Sequence, residues 1–118
     1  MVNPIKISVI IPVYNGEPYI KKCLDVLMKQ DFDELYEIII VDDASTDKSK
    51  EIIKKFKLPN LKLYSLSSNS GQSAARNLGL RKALGEYIYF QDVDDIISFK
   101  SLKTLYTTAK QHNCDFVC

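Results

Sequence analysis

The stretch Ile5-Lys6-Ile7-Ser8-Val9-Ile10-Ile11-Pro12-Val13-Tyr14-Asn15 decides the fold. From Ile5 to Ile11 it is β-branched and apolar, broken only by Lys6 and Ser8, the pattern of a strand covered on both faces. Pro12 is expected to stop it. After the Asn15-Gly16 turn, Pro18 suits a first helical position, and Ile20, Cys23, Leu24, Leu27 and Met28 recur at the spacing of one helix face. A buried strand followed by an amphipathic helix is half of a βαβ unit.

The rest of the chain repeats that unit. Tyr36 to Val41 reads as a second buried strand, ending at Asp42-Asp43, and Ala44-Ser45-Thr46-Asp47 offers capping side chains for a helix carrying Ile52, Ile53 and Phe56. Leu61 to Leu66 alternates, with Lys62 and Tyr64 on one face, as at a sheet edge. Ser67 to Gln72 reads as a loop and Ser73 to Leu84 as a helix, whose Ala74, Ala75, Gly79 and Ala83 permit close packing on the sheet. Glu86 to Phe90 is a fourth strand. Ser98 is placed to cap a last helix bearing Phe99, Leu102, Leu105, Tyr106 and Ala109, and Phe116-Val117 begins what reads as a fifth strand. Such alternation predicts an α/β fold, a mainly parallel sheet with helices on both faces joined by right-handed crossovers. Ligands of such sheets bind beyond the carboxyl ends of the strands, where strand order reverses. Three polar clusters fall there: Pro12 to Glu17, Asp42-Asp43, and Asp92 to Asp95.

Composition narrows the partners. The 118 residues suit one domain without a linker, and 16 Lys and Arg against 15 Asp and Glu leave a net charge of +1, too little to gather nucleic acid or anionic lipid. Cys23, Cys114 and Cys118 are odd in number and irregular in spacing, which suits reduced thiols better than a disulfide framework, and with His112 they match no zinc pattern. The start carries no signal-peptide pattern, and no apolar run is long enough for a transmembrane segment.

Asp92, Asp94 and Asp95 lie within four residues, and carboxylates held so close repel unless a cation or protons neutralise them. Mg2+ and Mn2+ take such oxygen ligands and fill their remaining positions with water and substrate phosphates. A solvated acidic turn explains the same residues, and capping explains Asp42-Asp43 equally well. Tyr14 suits base stacking or surface packing, while Arg76 and Asn77, early in a helix, suit phosphate or ribose, or plain solvent. Each feature alone leaves both readings open.

Together they are more specific. Val9-Ile10-Ile11-Pro12-Val13-Tyr14-Asn15, Val41-Asp42-Asp43-Ala44-Ser45-Thr46-Asp47, Gly71-Gln72-Ser73-Ala74-Ala75-Arg76-Asn77-Leu78-Gly79 and Gly85-Glu86-Tyr87-Ile88-Tyr89-Phe90-Gln91-Asp92-Val93-Asp94-Asp95 resemble, in order and spacing, the amino-terminal half of family-2 glycosyltransferases of the GT-A fold. The resemblance implies a Rossmann-like domain that binds a nucleotide-diphospho-sugar, with UDP as the expected nucleotide. It implies that Pro12, Tyr14 and Asn15 line the nucleobase pocket, that Asp43 accepts a hydrogen bond from a uracil-like imide, and that Gly71 and Arg76 complete the wall. It further implies Asp92 near ribose and metal, Asp94 as principal ligand of Mn2+ or Mg2+, and Asp95 facing the acceptor or capping the next turn.

The implied reaction is an inverting displacement onto a carbohydrate or lipid-linked acceptor, in bacterial surface polysaccharide or glycolipid synthesis, at a cytoplasmic location or peripheral at the inner membrane face. The carboxylate base and the acceptor-binding half are expected beyond Cys118, so the catalytic residue is not assigned. Two other classes compete. A receiver-type phospho-acceptor domain shares the length and the α/β pattern, yet its acidic pair follows the first strand, whereas Asp42-Asp43 follows the second. A non-catalytic module would keep the fold without the site, and a dinucleotide oxidoreductase lacks its Gly-x-Gly-x-x-Gly after the first strand.

Overall fold

The structure is a computed structural model that describes residues 4–112. Eight elements alternate: β1 (Ile7–Val13), α1 (Glu17–Met28), β2 (Tyr36–Asp42), α2 (Ser49–Lys55), β3 (Leu61–Ser65), α3 (Gln72–Lys82), β4 (Tyr87–Phe90) and α4 (Ser101–His112). The strands form one parallel sheet in the order β3-β2-β1-β4. Phe116, Val117, Cys114 and Cys118 lie outside the described residues, and with them the expected fifth strand.

β1 is buried along its whole length and pairs with β2 from Ile7↔Tyr36 to Val13↔Asp42. On one face Ile7, Val9, Ile11 and Val13 meet α1, α2 and α4 through Ile20, Leu24, Leu27, Ile53 and Leu102. On the other, Ile10 packs with Ile39, Val41 and Ala75 of α3. Each fully buried Ile or Leu contributes about 1.5–3 kcal/mol, so the two-sided burial of β1 and β2 dominates the stability of the domain. Gly79 is where α3 comes closest, since a Cβ there would lie 2.5 Å from Ile10 Cγ2. The small residues of this helix do allow the approach the sequence implied.

Three elements depart from expectation. β1 runs through Pro12 to Val13. The Ile10 carbonyl accepts from the Gln91 N–H on the β4 side and the Val13 carbonyl from the Asp43 N–H on the β2 side. Pro12 shares the parity of Ile10, so its missing N–H falls on the side where β4 has already ended, and no ladder bond is lost. Second, α4 begins at Ser101, and Phe99 is left exposed outside it. The Ser98 and Phe99 carbonyls are taken by Gln30 Nε2 (2.8 Å) and the Asp31 N–H (2.6 Å), while Gln30 Oε1 accepts the Leu102 N–H at 3.0 Å. Ser98 does cap the entry, its Oγ accepting the Lys100 N–H at 3.2 Å, and Gln30, from the loop after α1, adds a cap further on at the Leu102 N–H. Third, Met28 closes α1 but is exposed. Among the three capping candidates before α2, Ser45, Thr46 and Asp47, it is Asp47 that accepts both the N–H and the hydroxyl of Ser49.

At the opposite end from the three polar clusters, Glu37 is buried and fully engaged. It accepts from Ser8 Oγ (2.6 Å), the Leu84 N–H (2.7 Å) and Lys62 Nζ (3.0 Å), and Ser8 Oγ accepts the Gly85 N–H at 2.8 Å. Lys62, on edge strand β3, thereby earns a specific partner. Burial alone would push the Glu37 carboxyl up, but these hydrogen bonds and the Lys62 charge outweigh it and hold the group below the usual range. A depressed folded pKa contributes stability above the unfolded value and loses it as pH falls through the folded one. Glu37→Gln should therefore cost about 2 kcal/mol at neutral pH, with the gap to wild type closing below about pH 4, as read by urea unfolding at several pH values.

Candidate functional site

The reversal of strand order lies between β1 and β4, because β1 is flanked by β2 on one edge and β4 on the other. Beyond the carboxyl ends of these strands opens a cleft of about 340 Å³, lined by Pro12, Tyr14, Asn15, Asp43, Gln72, Asp92 and Asp94 among others. Six of the residues singled out from the sequence meet there. Gly71 and Arg76 stand behind the wall and act on it through Asp43 and Asp92.

Tyr14 presents a half-exposed ring. Asn15, at φ 51°, uses its side chain differently from a simple pocket wall: Oδ1 accepts the N–H groups of Thr46 (2.8 Å) and Asp47 (3.2 Å), while its own N–H donates to Ser45 Oγ at 2.9 Å. The clamp continues as the Gly16 N–H donates to Ser49 Oγ and the Glu17 N–H to Asp47 Oδ2. The donors at the start of α1 are thereby satisfied by the loop after β2 and the first residue of α2. The turn itself is tightened by Asp42, whose Oδ2 accepts the Ser45 N–H at 3.1 Å, with Ala44 at φ 58°. Asp42 is buried, and its Oδ1 has no partner among the described residues.

Asp43 is 4% exposed and faces the cleft. Its Oδ1 accepts the Ser70 N–H at 2.7 Å and its Oδ2 the Gly71 N–H at 2.9 Å, which leaves each oxygen a further lone pair for a ligand. Gly71, at φ 95°, makes the turn into α3 in a region that other residues enter only with strain.

At the other wall, the carboxylate oxygens of Asp92, Asp94 and Asp95 approach within 4.8 Å of one another. Asp92 Oδ1 accepts from Gln72 Nε2 at 2.9 Å and from Arg76 Nη2 at 3.5 Å. Arg76 also lies over the Phe90 ring, 5.8 Å from its centroid. Asp95 caps its own turn, accepting the Asp92 N–H at 3.3 Å and donating its N–H to the Asp92 carbonyl. Asp94 is exposed and has no partner among the described residues. Three oxygen donors so close, one of them uncommitted, fit a hard divalent cation such as Mg2+ or Mn2+.

A second, more apolar cleft of about 220 Å³ opens on the far side of Asp94, between Tyr19, Val26, Ile96 and Asp95. Cys23 on its floor has its thiol pushed up to about 12 by burial and by the nearby Asp95 charge, which removes it from consideration as a nucleophile. Gln72 was missed from the sequence. Its signal was its place directly after Gly71 in the Gly71-to-Gly79 motif; it reads as the last loop residue, but it opens α3 and its side chain lines the cleft.

The fold and rim define an α/β domain with its ligand cleft at the switch point of a parallel sheet. Comparison with known proteins specifies it. The family model described as glycosyl transferase family 2 matches residues 8–118, and the chain belongs to that family. It is 44% identical to the glycosyltransferase GlyA of Streptococcus pneumoniae serotype 4 over 93% of this chain and 16% of that protein. It superposes with a TM-score of 0.86 on the crystal structure of S. aureus TarS 1-349 in complex with UDP-GlcNAc, at 41% identity, covering 92% of this chain and 32% of that one. A mannosyltransferase, PcManGT from Pyrobaculum calidifontis, in complex with GDP-Man and Mn2+, matches with TM-score 0.71 and 33% identity over 77% of this chain and 28% of its own. The chain thus spans between 16% and 39% of the length of the relatives it matches. Its family sets aside the receiver and oxidoreductase readings.

Since Asp43 holds the entry to α3, Asp43→Ala should lower unfolding free energy by about 1–3 kcal/mol, measured by chemical denaturation without any ligand.

Proposed function

We propose that this chain is the donor-binding part of a glycosyltransferase that moves a sugar from a nucleotide-diphospho-sugar, a UDP-sugar in the first instance, to an acceptor hydroxyl by a metal-dependent inverting displacement. The observation that carries the reading is the meeting of Asp43, Asp92 and Asp94 in one cleft at the switch point. The UDP-GlcNAc complex of TarS and the GDP-Man and Mn2+ complex of PcManGT support it.

In this reading the base sits between Pro12 and Asp43 with Tyr14 stacked on it, and a free lone pair of Asp43 accepts its imide N–H. Asn15 acts indirectly, holding the loop that carries Tyr14. Arg76 and Gly71 likewise support the wall from behind. Asp94 and Asp92 would hold Mn2+ or Mg2+, and the ion would supply charge neutralisation for a departing diphosphate. The acceptor hydroxyl approaches from the side of Asp94 where the second cleft opens. The general base that takes its proton, and most of the acceptor site, belong to a part of the parent protein outside these 118 residues, so the chain alone transfers sugar poorly. The parent's setting is bacterial surface polysaccharide or glycolipid synthesis, in the cytoplasm or at the inner face of the membrane, with a carbohydrate or lipid-linked acceptor. Among the described residues no helix is long and apolar enough to cross a membrane.

Calorimetric titration with UDP, with and without Mn2+, tests the proposal. Wild type should bind more tightly with the ion, and Asp94→Asn should lose at least about tenfold of that gain. Its thermal midpoint without ligand should stay level or rise, because one of three mutually repelling carboxylates is removed. An absence of metal-enhanced UDP binding in wild type would leave a degenerate, non-catalytic module as the better description.

A further inference from the structure

We infer that Gln72 is a positioning residue for the ion: it holds Asp92 in the orientation in which that carboxylate shares a cation with Asp94. The inference rests on the donor-and-ion reading above and adds a residue to it.

Three carboxylates within 4.8 Å repel one another, and an aspartate free to rotate would turn away to relieve the repulsion. Asp92 is held by two donors on one oxygen. Both Gln72 Nε2 and Arg76 Nη2 bond Oδ1, and no described residue bonds Oδ2. The donors are unequal. Arg76 reaches at 3.5 Å, at the limit of a hydrogen bond, with its guanidinium over Phe90 and its buried Nε without a partner among the described residues. Gln72 stands at 2.9 Å and is the one that sets the carboxylate's direction.

Gln72 is itself fixed from the opposite wall. Asp43 binds the N–H groups of Ser70 and Gly71 immediately before it, and the positive φ of Gly71 turns the chain so that Gln72 opens α3 at the cleft. A bonded path therefore crosses the site from Asp43 through Gln72 to Asp92. Its consequence concerns the ion alone: removing the amide frees Asp92 to rotate and leaves the base wall standing.

The test is UDP titration of Gln72→Met, which keeps length and removes the donor, and of Gln72→Ala, each with and without Mn2+, beside thermal unfolding. Affinity in the presence of Mn2+ should fall about three- to tenfold in both variants, while affinity without metal and the melting temperature stay at wild-type values. An equal loss with and without the ion would make Gln72 a direct nucleotide contact and overturn the inference. So would unchanged Mn2+ dependence, or a lowered melting temperature that accounts for the loss. Wild type without metal-enhanced binding overturns the donor-and-ion reading itself, and this inference with it.

Discussion

The parallel pairing of β1 with a neighbour on each edge is the constraint from which the rest follows. Parallel neighbours cannot be joined by a hairpin, so each junction needs a crossover helix. The helices α1, α2 and α4 pack on one face, and α3 alone on the other, because the chain must cross the sheet to place β4 beside β1. That crossing separates the loops after β1 and β4 and opens the cleft between them. The fit of α3 against Ile10, possible only with glycine at position 79, is therefore part of how the site is made.

The rim is polar, and its order comes from side chains bonded to backbone. Asn15, Asp42, Asp43 and Asp47 each accept backbone N–H groups from a neighbouring turn, and between them they fasten the loops after β1 and β2 to each other and to the start of α3. Three of these four acceptors are carboxylates, whose bonds are stronger than neutral ones, so the loops are held without an apolar core of their own. Against this background Asp94 is the exception, exposed and without a partner among the described residues. That uncommitted carboxylate is the group to which the proposed function gives the ion.

Much of this was legible in the residues. The unbroken Ile and Val runs announced two-sided burial, the helical spacing in α1 marked its inner face, and the acidic clusters fell at strand ends, where the sheet brings them together. Less legible were features that depend on a distant partner. Pro12 reads as a strand stop, but it is harmless because β4 ends before it. Ser98 reads as a cap and takes the Lys100 N–H, but the Leu102 N–H goes to Gln30, a partner 72 positions away that no local pattern announces. Asn15 reads as a pocket wall and does line the cleft, but the fastening of the loop after β2 by its carboxamide was not legible.

Local pattern alone determined the element types, their order and the parallel α/β class, because periodicity and turn chemistry act between residues near in sequence. The pairing order β3-β2-β1-β4, the division of labour among the acidic residues and the place of Gln72 between Asp43 and Asp92 were decided only in three dimensions. These depend on contacts between residues tens of positions apart, and a side chain's choice among possible partners is made by whichever the fold carries within hydrogen-bond reach.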